Sequence, residues 1–319
     1  MTDITAKRFK NATEARKHLE SVRWADGVHC PHCGTVDRAS RIKSERRAGL
    51  WFCNACRKQF SVTVGTLFER SKVPLHKWLL AVHLLASSKK GMSAHQLHRT
   101  LGVTYKTAWF MSHRIREAIR PGTDFGPLGG EGKIVEADET YIGGKERTKH
   151  RSKRNPKNIG AVGKQIVFSL VERGGSVRSH HVPHVNAKTL RPILRTQVDR
   201  KSFLMTDDAG QYRIIGPEFA GYETVNHGIE EYVRGDAHTN TVEGYFSILK
   251  RGINGTYHHV SQQHLKRYLA EFDFRYNERS ALEVTDSERA DKALKGIEGK
   301  RLTYRRADSG RGSQTSLNG

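Results

Sequence analysis

The feature that most constrains how this chain can fold is a pair of Cys-x-x-Cys motifs near its N-terminus. The motifs are Cys30-Pro-His-Cys33 and Cys53-Asn-Ala-Cys56, with 19 residues between them (53 − 33 − 1). Each motif can direct two thiolates at one ion, and four thiolates complete the closed tetrahedral shell of a structural Zn²⁺. The spacing therefore predicts a zinc ribbon within residues 1–68, with the metal held by Cys30, Cys33, Cys53 and Cys56.

The alternative to a zinc site is a pair of redox-active dithiols. A single redox couple needs only one Cys-x-x-Cys motif, so the second motif favours the metal. The chain has four cysteines and begins with a charged segment rather than an apolar one. We therefore expect no secretory signal and a reducing, cytoplasmic compartment. His29 precedes the first motif and His32 lies within it, and both are expected to contact solvent or DNA, because the four thiolates already fill the shell.

The charge of the chain predicts a polyanionic partner. Lys and Arg number 55 against 33 Asp and Glu, which gives a formal net charge of +22 and a pI of about 10. A soluble protein this basic usually meets a polyanion such as nucleic acid. The most apolar run, residues 78–86, is too short to span a bilayer, and no membrane partner is expected.

Residues 72–120 are predicted to be entirely helical. Helices are expected over residues 75–86, 94–101 and 105–119, with Ser93 and Thr104 as N-caps and Gly102 in the turn between the second and third helices. A helix, a glycine-containing turn and a second helix form the helix-turn-helix pattern of DNA-binding proteins. The alternative is an ordinary three-helix packing unit. In the DNA-binding interpretation, the last helix offers four side chains to a duplex: Lys106, His113, Arg114 and Arg116.

A linker rich in Gly and Pro over residues 121–130 precedes a region, residues 131–282, in which strand and helix patterns alternate. Strands are predicted around residues 133–144, 165–172, 176–185, 202–207 and 223–227, with helices after the third, fourth and fifth. The order βββαβαβα is that of the ribonuclease H-like fold, an α/β domain with a mixed five-stranded sheet. The first and fourth strands of that fold are neighbours.

Three acidic residues lie within or at the ends of the predicted strands and helices. Asp138 lies in the first strand, Asp207 ends the fourth strand, and Glu243 opens the last helix. Carboxylates gathered from strands and a helix suit a pair of Mg²⁺ or Mn²⁺ ions, which prefer oxygen ligands and can clamp the two reacting oxygens of a phosphodiester. Lys250, seven residues after Glu243, falls on the same helical face and can reach a phosphate. The competing carboxylates are those of Glu136, Glu139 and Asp208. Asp236 and His238, which precede the last helix, are further candidates for the metal region, although a loop histidine in a basic protein is usually solvated or faces a phosphate.

Several segments together resemble the zinc-ribbon DDE transposases of bacterial insertion sequences, the ISXO-two-like group. The segments are residues 135–145 (VEADETYIGGK), 206–212 (TDDAGQY), 238–256 (HTNTVEGYFSILKRGINGT) and 265–277 (LKRYLAEFDFRYN). The resemblance covers about residues 15 to 280. It implies that Asp138, Asp207 and Glu243 form the metal-binding triad and that Lys250 is the accompanying basic residue, with Asn240 a weaker substitute for Glu243.

The resemblance implies a DNA recombinase of the bacterial cytoplasm that associates with the nucleoid. The N-terminal modules would bind the terminal inverted repeats of the element, and the ribonuclease H-like domain would cleave the ends and join their 3′-hydroxyls to target DNA. Bringing two ends together implies a homodimer or a higher oligomer. The rivals are a transcriptional regulator with an inactive catalytic scaffold, and a nuclease without strand transfer. The basic run 145–157 could contact DNA, and the C-terminal extension 283–319 is expected to be partly disordered.

Overall fold

In the N-terminal region, a helix packs beside a small antiparallel sheet. The structure is a computed structural model, and it describes residues 4–44, 48–122, 126–144, 150–155, 160–225 and 238–303. The side chain of Asn11 accepts hydrogen bonds from the first-turn amides of Thr13 and Glu14, which is why the helix begins there. The elements are α1 (Ala12–Arg23), β1 (Ala39–Arg41), β2 (Leu50–Cys53) and β3 (Gln59–Ser61), and the sheet order is β1-β2-β3.

The next region contains the three predicted helices. They are α2 (Leu75–Ser87), α3 (Ala94–Leu101) and α4 (Tyr105–Ala118). The predicted caps are confirmed, because Ser93 Oγ accepts the amide of Gln96 at 3.1 Å and Thr104 Oγ1 accepts that of Thr107 at 3.2 Å. Gly102 ends α3 with a φ of +58°, in the left-handed region that favours glycine. The helix-turn-helix pattern is therefore present in α3 and α4.

A mixed five-stranded sheet forms the centre of the following region, as predicted. Its strand order is β6-β5-β4-β7-β8, so the first and fourth strands of the region are neighbours. The first three strands pair antiparallel, and β7 pairs in parallel with both β4 and β8. The strands are β4 (Ile134–Ile142), β5 (Gln165–Glu172), β6 (Val177–Val182), β7 (Phe203–Asp207) and β8 (Gly221–Val225).

Helices cover both faces of this sheet. Leu190 and Leu194 pack against Val135 and Ala137 on one face, and on the other Leu249 is among the residues that pack against Val167. Full burial of one such leucine stabilises the fold by roughly 1.5–3 kcal/mol. The helices are α5 (Ala187–Gln197) and α6 (Gly210–Ile215) on the first face and α7 (Asn240–Gly252) and α8 (Gln262–Asn277) on the second.

The segment after α8 returns to the N-terminal region. Helix α9 (Asp286–Lys295) packs on α1 and α2, and Ala293 and Leu294 are buried in the N-terminal core. Much of the predicted C-terminal extension is therefore an ordered part of that core, and the rest, residues 304–319, lies outside the described residues. Leu128, predicted in the linker, is also buried, and it pairs with Val198 beside the five-stranded sheet.

Two further predictions concern the chain as a whole. Within the described ranges, no helix is both long enough and apolar enough to cross a bilayer. Most of the basic run 145–157 lies outside the described residues, and a short 3₁₀ helix, Arg151–Lys153, stands in its described part.

Candidate active site and zinc centre

Strands β4 and β7 bring two of the predicted acidic residues level with each other. In their parallel pairing, Ile134 lies opposite Phe203 and Glu136 lies opposite Met205. The paired residues differ by 69 in number throughout (203 − 134). Extending this register two residues beyond Glu136 and Met205 places Asp138 opposite Asp207. Residues opposite each other on neighbouring strands direct their side chains to the same face of the sheet. The two carboxylates therefore share one face, at the end of β7.

Glu136 attaches the start of α7 to that face. Its carboxylate is fully buried and accepts the backbone amides of Thr241 at 2.8 Å and Val242 at 2.9 Å, together with the Thr241 hydroxyl at 2.8 Å. Arg173 donates to the same carboxylate at 2.6 Å. Amides in the first turn of a helix have no partner within the helix, and a carboxylate there is favoured by the helix dipole. The anchor fixes Glu243, in the first turn of α7, close to β4.

Electrostatic interactions connect the three predicted triad members. Burial, and then the charge of Glu139, are the larger causes that raise the pKa of Asp138, and the charges of Asp207 and Glu243 raise it further, to about 8. The structure therefore gathers Asp138, Asp207 and Glu243 in one region. Glu243 is exposed, and its carboxylate accepts the Thr239 hydroxyl at 3.0 Å.

The competing acids are engaged elsewhere. Glu139 points to the opposite face, as strand alternation predicts, and its carboxylate accepts the hydroxyl of Tyr212 at 2.5 Å. Asp208 pairs with Arg213 at 2.8 Å, and this pairing lowers its pKa. These contacts favour Asp138 over Glu139 and Asp207 over Asp208 as the residues of a shared site.

Three further residues are predicted near the acids. Lys250 is exposed in the last turn of α7, and the helix is continuous from Glu243 to it, so both lie on one face. His238 instead lies against Glu136, with Nδ1 3.3 Å from the carboxylate, and its carbonyl accepts a hydrogen bond from Arg173. Asp236, a further candidate near the metals, lies outside the described residues.

The acidic group fits a divalent cation by its chemistry. Carboxylate oxygens are the ligands that Mg²⁺ and Mn²⁺ prefer, and a cation there would offset the repulsion that raises the pKa of Asp138. In the part of the chain that the structure describes, only the four cysteines have ligand atoms all within 4.8 Å of one another. The carboxylates are thus gathered less tightly than the thiols.

The sequence analysis missed the positioning role of Glu136. Strand alternation put it on the same face as Asp138, but the partners that define its role are amides more than 100 residues away along the chain. We expect Glu136→Gln to lower the free energy of unfolding by about 1–3 kcal/mol, because an amide cannot satisfy the same donors. Hydrogen exchange in the first turn of α7 should become faster. Glu131→Gln, in the exposed turn before the same strand, is the matched control, and equal exchange in both variants would contradict the anchor.

The four thiols fit a zinc ion. Cys30 Sγ lies 3.6 Å from Cys56 Sγ, and Cys33 Sγ lies 3.7 Å from Cys53 Sγ. A tetrahedron with Zn–S bonds of about 2.3 Å has edges of roughly 3.8 Å. Burial first, and then the neighbouring thiols, raise the pKa of Cys56 to about 12. A Zn²⁺ ion among the four sulfurs would favour their thiolate forms. The histidines contact other groups: His29 binds Glu298 at 2.7 Å, and His32 lies 3.3 Å from the carbonyl of Gln59.

The predicted DNA-contacting residues of α4 do not share one accessible face. Lys106 is exposed, and Arg114 is half-buried, with its Nε donating to the carbonyl of Leu302 at 3.2 Å. His113 and Arg116 are only 1% and 2% exposed. Helix α8 covers their side of α4, so the prediction that these two residues face a duplex is wrong. The sequence could not reveal this, because both faces of α4 carry basic residues.

Arg116 belongs instead to a buried ionic network between α4 and α8. Its Nε lies 2.5 Å from the carboxylate of Glu271, which also accepts hydrogen bonds from Arg275 and from the Tyr257 hydroxyl. Burial would raise the pKa of Glu271, but Arg116 and Arg275 outweigh that effect and hold it at about 2. The network joins the helix-turn-helix to the five-stranded domain.

Because Glu271 balances two buried arginines, Glu271→Ala is expected to lower the free energy of unfolding by about 3–5 kcal/mol. Urea denaturation followed by tryptophan fluorescence measures this loss. Lys17→Ala is the control, since it removes an ion pair with Glu14 whose two side chains are 59% and 38% exposed, and such pairs contribute little. Equal midpoints for Glu271→Ala and the unchanged protein would show that the network does not stabilise the interface.

Comparisons with known proteins agree with this arrangement. Residues 127–277 match the model of the ISXO2-like transposase domain, and residues 10–59 match that of the transposase zinc-ribbon domain. An uncharacterized protein in transposable element ISH50 of Halobacterium salinarum is 32% identical over 284 residues, which cover 84% of this chain and 92% of that protein. An uncharacterized transposase-like protein of Haemophilus influenzae is 25% identical over 96 residues, covering 30% of this chain and 76% of that protein.

Two solved structures show weak likeness. One is a simian T-cell lymphotropic virus intasome in complex with PP2A regulatory subunit B56 gamma, with 14% identity over 56% of this chain and 63% of that chain. The other is a pre-cleavage Mos1 transpososome, with 12% identity over 68% of this chain and 74% of that chain. Both have a TM-score of 0.26, which is too low to establish a shared overall arrangement.

Proposed function

The chain belongs to the ISXO2-like transposase family, and we propose that it binds the terminal inverted repeats of an insertion sequence, cleaves the DNA ends and joins their 3′-hydroxyls to target DNA. The observation that carries this proposal is the gathering of three carboxylates on one face of the sheet. Asp138 and Asp207 lie opposite each other on adjacent strands. Glu243 lies near them in the first turn of α7, and the backbone of that turn is bound by Glu136.

The proposed metal ligands are Asp138, Asp207 and Glu243. Two Mg²⁺ or Mn²⁺ ions held there would stabilise the charge that develops on the attacking and leaving oxygens of a phosphodiester. The sheet holds Asp138 and Asp207 rigidly, because each lies within a hydrogen-bonded strand. The anchored first turn of α7 holds Glu243.

The reaction needs no external energy source. In cleavage, the oxygen of a water molecule bonds to phosphorus, the bond to the 3′-oxygen breaks, and that oxygen gains a proton. In joining, the freed 3′-hydroxyl loses its proton and bonds to a target phosphorus, while a target 3′-oxygen leaves and is protonated. Cleavage therefore leaves a 3′-hydroxyl and a 5′-phosphate, and joining forms one phosphodiester for the one it breaks. Both steps are attacks of an oxygen on phosphorus with a 3′-oxygen as the leaving group, so one set of residues can serve both.

Lys250 is proposed to position the DNA strand. Glu243 and Lys250 are seven residues apart on a continuous helix, which corresponds to about 10 Å along its axis. The exposed ammonium group of Lys250 can therefore bind a phosphate oxygen close to the carboxylates. Arg251, the adjacent cation, donates to the carbonyl and hydroxyl of Ser247 at 3.1 and 2.9 Å, so it is already occupied within the helix.

The N-terminal modules are proposed to hold the DNA ends. The zinc ribbon and the helix-turn-helix precede the catalytic domain, and the net charge of +22 favours binding to DNA phosphates. Since transposition joins two ends in one event, the active assembly is proposed to contain at least two copies of the chain.

The test is a strand-transfer assay with purified protein, duplexes that carry the DNA flanking its reading frame, and a supercoiled target. With Mg²⁺ or Mn²⁺ we expect nicks at the element ends and covalent joining of those ends to the target. Ca²⁺ should support binding without cleavage, because its looser geometry misplaces the reacting groups. Specific end binding with no cleavage under either active metal would favour the regulator alternative and reject the proposal.

A further inference from the structure

The C-terminal segment 297–303 lies between the zinc-ribbon region and α4. The amide of Leu67 donates to the carbonyl of Ile297 at 3.1 Å, and the amide of Gly299 donates to that of Gly65 at 3.0 Å. Thr66 and Glu298 form an antiparallel bridge between these two stretches. The chain is thereby held against residues 65–67 by backbone hydrogen bonds, which do not depend on the identity of its side chains.

The same segment is attached to α4 on its other side. The ammonium group of Lys300 donates to the carbonyls of Ala118 and Arg120 at 2.8 Å each, at the C-terminal end of the helix. Such a contact satisfies carbonyls that have no partner within the helix and is favoured by the helix dipole. Arg114, one turn earlier, donates to the carbonyl of Leu302. Residues 297–302 are therefore fixed to two separate elements of the N-terminal region.

Two depressions lie side by side along this segment and share two lining residues, and together they are called the groove. One lies between residues 65–70 and residues 299–303, the other lies between residues 70–73 and α4, and Arg70 and Arg114 line both. Six cationic side chains line the groove, and of the described residues only Glu69 adds a negative charge, which gives a formal charge of +5 (6 − 1). The six cations are Arg70, Lys72, Lys106, Arg114, Lys300 and Arg301.

The cations of this groove are crowded. Burial first, and then the charge of Arg301, lower the pKa of Arg114, so the two guanidinium groups repel each other. Glu69 offsets only part of the charge, since it lies 3.7 Å from Arg70 and also accepts the amide of Gly65 at 3.0 Å. Arg301, Lys72 and Lys106 are exposed. An anion in the groove would relieve the repulsion.

The position of the groove beside the N-terminal half of α4 favours DNA as the anion. Lys106 and Thr107 belong to the N-terminal half of α4, and in a helix-turn-helix this half of the second helix contacts base edges in the major groove. A duplex seated there must run its phosphates past neighbouring surfaces, and the cationic groove begins at that point. A row of cations beside the reading helix fits a DNA backbone, because phosphate contacts set the position of a protein on a duplex.

We propose that segment 297–303 forms one wall of a groove that binds the phosphate backbone of the element's terminal DNA, so that the end-binding surface is built from both termini of the chain. This inference rests on the proposed function, because it takes terminal DNA as the ligand. Lys300 anchors the segment to α4, and Arg301 presents its charge to a phosphate. The proposed base-contacting surface is therefore the exposed N-terminal half of α4, in place of the buried His113 and Arg116.

The test uses the full-length protein and fluorescence anisotropy with an end duplex and an unrelated duplex at several salt concentrations. Arg301→Ala should weaken binding to both duplexes by about fivefold to tenfold near 0.1 M salt, and it should reduce the salt slope by about one, as expected for one lost phosphate contact. Arg301→Lys keeps the charge and should stay within about twofold of the unchanged protein. Lys295→Ala, an exposed cation on α9 outside the groove, is the matched control.

The outcomes separate this inference from the proposed function. If the protein without any substitution binds neither duplex, the proposed function itself is contradicted. Normal binding by the unchanged protein together with normal affinity and salt slope in Arg301→Ala would overturn the groove alone. Loss of affinity in Arg301→Lys equal to that in Arg301→Ala would also overturn it, since a phosphate contact requires only the charge. Melting temperatures of all variants, measured by circular dichroism, should agree, because Arg301 is exposed.

Discussion

Asp207→Ala is expected to reduce cleavage of the element's ends by at least about a thousandfold, while binding to those ends stays within about twofold of the unchanged protein. A metal ligand stabilises charge in the transition state by several kcal/mol, and about 4 kcal/mol corresponds to a factor of about a thousand in rate. In the proposed site this residue would hold a metal and would not anchor DNA. Asp138→Ala and Glu243→Ala are expected to behave in the same way.

Asp208→Ala is the matched control for this series. It removes a carboxylate from the adjacent position, but that carboxylate is paired with Arg213 on α6, away from the shared face. Single-turnover cleavage on prebound ends is the measurement, with anisotropy on the same duplex for binding. An active Asp207→Ala variant together with an inactive Asp208→Ala variant would show that the neighbouring residue is the ligand.

Cys30→Ser is expected to reduce the zinc content from about one ion per chain to nearly none and to unfold the ribbon. Structural zinc in small modules contributes about 10–16 kcal/mol of apparent binding free energy, and that energy is folding energy where the apo form is unstructured. A serine hydroxyl replaces the thiolate poorly in a shell of four sulfurs. Cys30 and Cys53 are buried in the same core as α2 and α9, so the loss should also loosen the packing of the C-terminal helix.

His32→Ala is the control for the zinc prediction. His32 stands inside the first motif, yet its ring contacts the carbonyl of Gln59, and the four sulfurs complete the shell without it. This variant should keep its zinc. Elemental analysis and limited proteolysis of the reduced, folded proteins measure both effects. A zinc-free unchanged protein that is nonetheless folded would reject the metal site.

Local patterns in the amino-acid sequence were sufficient to predict several parts of this protein. The two Cys-x-x-Cys motifs predicted the cluster of thiols, because each motif is a short turn that brings its own pair together. Alternating apolar residues predicted the strands of the five-stranded sheet, and their order predicted that β4 and β7 are neighbours. Together with helical periodicity in α7, this was sufficient to place Asp138, Asp207, Glu243 and Lys250 in the right elements.

Only the tertiary structure decided which faces of those elements are covered. His113 and Arg116 are residue types that often contact DNA, so the sequence favoured an exposed position for them. Helix α8, about 150 residues later in the chain, buries both. The anchor between Glu136 and α7 and the return of residues 286–303 to the N-terminal region are also contacts between distant segments. The physical reason is that burial and ion pairing depend on the partner surface, which hydrophobic periodicity within one segment does not specify.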